Sequence, residues 1–238
     1  MATSHVTHSI VTPVHGRYLI RVPESAGGPR RRGPMLVGFH GYGESAETQM
    51  ARLESIPHSD QWTLVSVQAL HRFQGKGGET VASWMTPQDR GDLIADNIRY
   101  TRSVVIEALH ISGEPQALVY LGYSQGAAMA WRAAILGVRR IDGLVTFGGD
   151  VPPEFGTRPL SECPPVLLGR GRQDTLYAAD RFAADLEMLA ARFVPVEPCE
   201  VDGGHAWSPA FGEEVGQFLQ RLTGSVAALD GEGRGQQV

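Results

Sequence analysis

The stretch ALVYLGYSQGAAMAWRAAIL, residues 117–136, decides the fold. Ala117–Leu121 is a continuous apolar run of the length expected for a strand buried on both faces. Gln125–Leu136 follows, with Met129, Trp131 and Ile135 marking a helix. The junction Gly122-Tyr123-Ser124-Gln125-Gly126 leaves no loop between the two. Its glycines stand where a tight strand-to-helix turn has no room for side chains, and such a turn pushes the serine hydroxyl out over the sheet. The N-terminus of the following helix then points at that hydroxyl.

The same alternation extends outward in both directions. Upstream, Met35–Phe39 is a short apolar strand, and Ala46–Ile56 is a helix behind Ser45 as a cap. Trp62–Val67 is a strand and Asp89–Leu109 a long amphipathic helix. Downstream, Leu144–Phe147 and Val166–Leu168 are strands. Phe182, Leu186, Leu189 and Phe193 recur on one helical face, and Val194–Val201 is the last strand. Ser208-Pro209 opens a final helix carrying Phe211, Val215, Phe218, Leu219 and Leu222. Near the start, Ile10–Pro13 and Tyr18–Val22 around His15-Gly16 read as a hairpin, an antiparallel edge. The expectation is an α/β protein with a mostly parallel central sheet and helices on both faces. It forms one domain over residues 9–222, with flexible termini at 1–8 and 223–238.

Composition narrows the function. The 238 residues carry 21 Lys plus Arg against 26 Asp plus Glu, a net charge of −5, which disfavours a nucleic-acid binder. Arg30-Arg31-Arg32 sits among glycines and prolines and reads as a solvated turn. Cys163 and Cys199 are too few for a disulfide framework, and no CxxC pair exists for zinc. The first eight residues lack the pattern of a signal peptide, and no apolar run is long enough to span a membrane. The expected compartment is the cytoplasm.

In a parallel sheet the reactive groups gather beyond the carboxyl ends of the strands. Four loops there carry chemistry. His40-Gly41-Tyr42-Gly43-Glu44 can turn a backbone N–H toward a substrate oxygen, and the N–H of Gln125 can supply a second such donor. Ser124 needs an imidazole to take its proton and a carboxylate to orient that imidazole. His205, in Asp202-Gly203-Gly204-His205-Ala206-Trp207, is placed for the first role. Asp174, ending Gly169-Arg170-Gly171-Arg172-Gln173-Asp174, is placed for the second. Asp150 is the competing acid, and Asp202 lies too near His205 in the chain to orient it. His40 reads as a structural residue of its loop.

The order strand–HGxG, strand–GxSxG, strand–Asp, strand–GGH resembles that of the α/β-hydrolases. Within them the chain is most similar to the phospholipase/carboxylesterase family, which includes the acyl-protein thioesterases. The resemblance rests on His40 to Glu44, Gly122 to Gly126, Gly171 to Asp174 and Gly203 to His205. It implies an α/β-hydrolase fold and a serine esterase that uses no metal and no cofactor. It also implies an oxyanion hole at the N–H groups of Tyr42 and Gln125. The chain departs from the thioesterase branch at Tyr42, Ala127, Leu176-Tyr177 and Ala206-Trp207.

These readings converge on a carboxylesterase for a small-molecule ester with a short-to-medium acyl or compact aromatic group. Ser124, His205 and Asp174 are the expected triad. Trp84, Tyr123, Tyr177 and Trp207 are candidate pocket walls beside Tyr42. The interval from Ser124 to Asp174 is filled by a helix, two strands and their loops, so no large lid domain fits there. His71–Gln88 reads as the one long irregular segment. The alternatives are a long-acyl thioesterase or lysophospholipase, and a non-catalytic binding protein, which would carry a damaged triad.

Overall fold

The computed structural model describes residues 5–23, 33–137 and 139–233, with side chains as far as Gly224. In chain order the elements are β1 (Arg17–Arg21), β2 (Met35–Phe39), α1 (Ala46–Glu54), β3 (Thr63–Gln68), β4 (His71–Gln74), β5 (Thr80–Ser83) and α2 (Arg90–Ser112). There follow β6 (Leu118–Tyr123), α3 (Gln125–Leu136), β7 (Gly143–Phe147), β8 (Val166–Gly171), α4 (Ala179–Ala190), β9 (Val196–Val201) and α5 (Pro209–Gly233). One seven-stranded sheet runs β1-β3-β2-β6-β7-β8-β9. Every pairing in it is parallel except β1 with β3.

The continuous apolar runs follow from burial on both faces, because alternate strand residues point opposite ways. Met35, Val37 and Phe39 of β2 and Leu118 and Tyr120 of β6 join the core beneath α2, α3 and α4. Leu36, Val119 and Leu121, from the same strands, join the core beneath α1 and α5. The helix after β2 and the helix after β6 therefore cover opposite faces. Their adjacent strands mark the point where strand order reverses, and a crevice opens there beyond the carboxyl ends. The loops at 40–44 and 122–126 meet in that crevice.

Four expectations need correction. No hairpin forms at the start: Ile10 and Val11 are exposed, and β1 pairs with β3, far along the chain. Phe193 does not continue the buried face of α4. The helix has ended, Phe193 has φ 57° and is exposed, and Val194 is buried instead. The segment 71–88 is not irregular, since β4 and β5 form an antiparallel pair within it. The last helix does not stop at Leu222 but continues to Gly233. The Arg30–Arg32 cluster lies outside the described residues.

Candidate active site

Ser124 sits between β6 and α3 with φ 53° and ψ −121°. A non-glycine residue there is strained, which costs of order 1–3 kcal/mol and persists only where surrounding packing enforces it. The enforcing contact is close. A Cβ on Gly126 would stand 2.2 Å from the Phe39 carbonyl oxygen, and one on Gly122 would stand 2.3 Å from the Gly126 carbonyl oxygen. The two glycines allow α3 to press against the end of β2.

His205, in the loop after β9, places Nε2 2.8 Å from Ser124 Oγ. Its Nδ1 lies 2.8 Å from Asp174 Oδ2. A carboxylate oxygen can only accept, so Nδ1 carries the proton and Nε2 is free to accept from the serine hydroxyl. Asp174 is buried. Its other oxygen, Oδ1, accepts from the amides of Leu176 at 2.8 Å and Tyr177 at 2.9 Å. Both carboxylate oxygens are thus directed, one at the imidazole and one at the backbone.

Two backbone amides of the loops at 40–44 and 122–126 are without partners. Among the described residues, no acceptor takes the N–H of Tyr42 or of Gln125. The Gln125 N–H is also the first of α3, so the helix offers it no carbonyl. Unpaired amides on two adjacent loops are the kind of donor that a developing oxyanion calls for.

A family model described as Phospholipase/Carboxylesterase matches residues 26–222. The chain belongs to the phospholipase/carboxylesterase family. It is a carboxylic ester hydrolase of that family, and its fold is that of the α/β-hydrolases. Solved structures agree on the fold. A carboxylesterase from Bacillus cereus superposes with a TM-score of 0.68 at 15% identity, covering 87% of this chain and 94% of its own. A carboxylesterase from Mesorhizobium loti gives 0.67 at 20%, covering 86% and 94%. Zea mays acyl-protein thioesterase 2 gives 0.66 at 20%, covering 88% and 100%. No curated protein matches the chain. No helix among the described residues is long and apolar enough to cross a membrane.

The remaining predicted residues fall differently in this hydrolase. Asp150 pairs with Arg181 at 2.6 Å and Asp202 with Arg172 at 3.3 Å, and neither touches His205. His40 is buried: its Nδ1–H donates to Gly41 O and its Nε2 accepts from Ala69 N. Burial pushes its pKa down from 6.5, so it stays a neutral strut. Trp84 is no pocket wall. It is fully buried, with Nε1 donating to His40 O at 2.8 Å. Tyr177 is buried too, its hydroxyl donating to Asp185 Oδ2 at 2.7 Å. Burial and the neighbouring Asp185 carboxylate raise its pKa. Tyr123 is buried and donates to His205 O at 3.0 Å, so it holds the imidazole loop. Trp207 packs edge-on against Phe147 and Phe211.

Three side chains contribute through partners that the motifs do not reveal. The Gln125 side chain clamps the segment after β5, with Oε1 accepting from Trp84 N at 2.8 Å and Nε2 donating to Met85 O at 2.9 Å. Glu44 accepts from Gly41 N at 2.7 Å and grips Arg52 through both oxygens, at 2.8 and 3.1 Å. The Arg52 guanidinium lies 4.3 Å from the Tyr123 ring centroid and 5.5 Å from that of Trp207. One buried cation therefore joins the 40–44 loop to the histidine loop. Only the acidic residue closing the HGxG run hints at this, because Arg52 is eight residues on. Both cysteines are free, and burial pushes Cys163 up to about 12 and Cys199 to about 11.

Proposed function

We propose that this hydrolase is a serine carboxylesterase for small esters with short-to-medium acyl or compact aromatic groups. The observation that carries the reading is the unbroken chain Ser124 Oγ, His205 Nε2, His205 Nδ1, Asp174 Oδ2, with both contacts at 2.8 Å. Ser124 Oγ attacks the ester carbonyl as its proton passes to His205 Nε2. The imidazolium is stabilised by Asp174, whose orientation the Leu176 and Tyr177 amides fix. The oxyanion takes up the Tyr42 and Gln125 N–H groups. His205 then gives its proton to the departing alkoxide, leaving an acyl group on Ser124. Water, deprotonated by His205, attacks that acyl group, and the carboxylic acid leaves with Ser124 restored.

The size preference rests on what borders the crevice. Tyr42 and Phe73 stay exposed, with ring centroids 5.6 Å apart, and Leu176 is exposed beside Asp174. β7 and β8 take up the chain between Ser124 and Asp174, with no inserted domain. Side chains at a rim cover a few methylenes, each contributing about 0.8 kcal/mol only while it is buried. The test is kcat/KM on p-nitrophenyl esters from C2 to C16 below their aggregation limits. A fluorophosphonate should label the wild type and not Ser124→Ala, and that variant should lose at least about 10³-fold in kcat. A maximum between C2 and C6 is expected. A maximum at C12 to C16 would instead make the protein a long-acyl thioesterase or lysophospholipase. Labelling of Ser124→Ala at the wild-type rate would remove the serine mechanism.

A further inference from the structure

At the opposite end of α3 from Ser124 lies a second cavity. It opens between α2 and α3 above the middle of β6, with a volume of about 180 Å³. Ile98, Val105 and Ala133 form apolar walls, and Thr101 and Tyr120 each present a hydroxyl-bearing side chain. From Gln125 at the head of the helix to Gly137 at the cavity is about 18 Å of helical rise, so this is not the catalytic crevice.

Two features set this cavity apart from a packing defect. Thr101 is 2% exposed, yet its Oγ1 has no hydrogen-bond partner. Tyr120 is 3% exposed, and its hydroxyl has no partner among the described residues. A buried hydroxyl such as that of Thr101 is ordinarily satisfied, because its lost hydration is otherwise uncompensated. Burial raises the Tyr120 pKa, so its O–H remains a donor. The rim is cationic. Arg102 is exposed with no ion pair among the described residues, and Arg139, held by Glu114 through one nitrogen, has its Nε buried without a partner.

The occupant must match three things at once. An apolar cavity of about 150 Å³ holds a benzene-sized group. The two hydroxyls call for an acceptor, and Arg102, without an ion pair among the described residues, calls for a negative charge. We infer that the α2–α3 cleft is a second binding site, for a small carboxylic acid with an aromatic or roughly six-carbon body. Chemically this is the class of acid that the proposed reaction releases. The inference nevertheless stands on the cleft's own residues and does not require that reading.

Calorimetric titration of benzoate and hexanoate into the full chain tests it, alongside Arg102→Gln, Thr101→Val and Ala133→Leu. Saturable binding at about 1 mM or tighter is expected. Arg102→Gln should weaken it roughly tenfold, the usual value of one hydrogen bond to a charged group, while leaving ester turnover unchanged. Ala133→Leu should abolish binding by filling the cavity. If that variant does not fold, Ile106→Trp, at the partly exposed mouth, serves instead. Binding should persist after fluorophosphonate capping of Ser124. Absence of saturable binding up to about 20 mM would overturn the inference. So would binding abolished by capping but untouched by the cleft variants, because the acid would then occupy the crevice. The cleft variants report whether or not the probe reacts, so failure of the catalytic reading remains distinguishable.

Discussion

Gly126→Ala is the sharpest test of how the crevice is assembled. The added Cβ would lie 2.2 Å from the Phe39 carbonyl oxygen and 2.5 Å from that of His40. Carbon and oxygen ordinarily approach to about 3.3 Å, so α3 must retreat from the end of β2 by about 1 Å. Both obstacles are backbone atoms, and no side chain can swing aside. The retreat separates Ser124 and the Gln125 amide from the Tyr42 amide on the opposite loop. A displacement of that size costs roughly 10²-fold in rate. Overpacking costs about 1–3 kcal/mol, which in a chain of this length lowers Tm by about 2–12 °C. Gly91→Ala is the control. Its Cβ meets open space near the start of α2, so activity should hold and Tm should stay level or rise. The assays are kcat/KM on p-nitrophenyl acetate and a thermal melt for each variant. If Gly126→Ala keeps kcat/KM within about threefold of wild type, the close α3–β2 packing does not set the geometry of the crevice.

Asp174→Asn should lower kcat by about 10⁴-fold through the wrong imidazole tautomer, whereas Asp150→Asn, whose carboxylate pairs with Arg181, should stay near wild type. Steady-state kinetics on the pair would place the acid one strand earlier if the outcomes were reversed. His40 has its pKa lowered by burial, so the unfolded chain binds the extra proton first and stability falls as pH drops below 6.5. Urea midpoints between pH 7.5 and pH 5 should therefore decline more steeply for wild type than for His40→Gln. Arg52→Met should destabilise the protein by up to about 3–5 kcal/mol because it strands the Glu44 carboxylate, and adding Glu44→Gln should recover part of the loss in a chemical melt.

The sequence made the interior strands legible because a strand buried on both faces must be apolar at every position, as in Met35–Phe39. Gln125–Leu136 was legible to the residue because the serine turn fixes one end and Gly137 the other. The opening strand was misread because a hairpin rule looks only at neighbours in the chain. Arg17–Arg21 instead finds its partner in Thr63–Gln68. The helical periodicity through Phe193 gave no sign of the left-handed residue that turns the ring outward. Trp84 and Tyr177 looked like walls because large aromatics near motifs often are. Their polar atoms are used instead by His40 O and Asp185, contacts that no spacing pattern announces. The Gln125 clamp spans some forty residues and was equally hidden.

The backbone at Ser124 sets chemistry against stability at a single position. With φ 53° and ψ −121°, the side chain that suits it best is a hydrogen atom. Ser124→Gly would relax the turn, leave the sheet intact and, on the proposed mechanism, remove the nucleophile. The inert protein would then be the more stable one. A gene copy released from selection for turnover could drift in that direction with no loss of fold to mark the change. Retaining serine at this turn therefore requires continued selection on catalysis, because folding alone favours its loss.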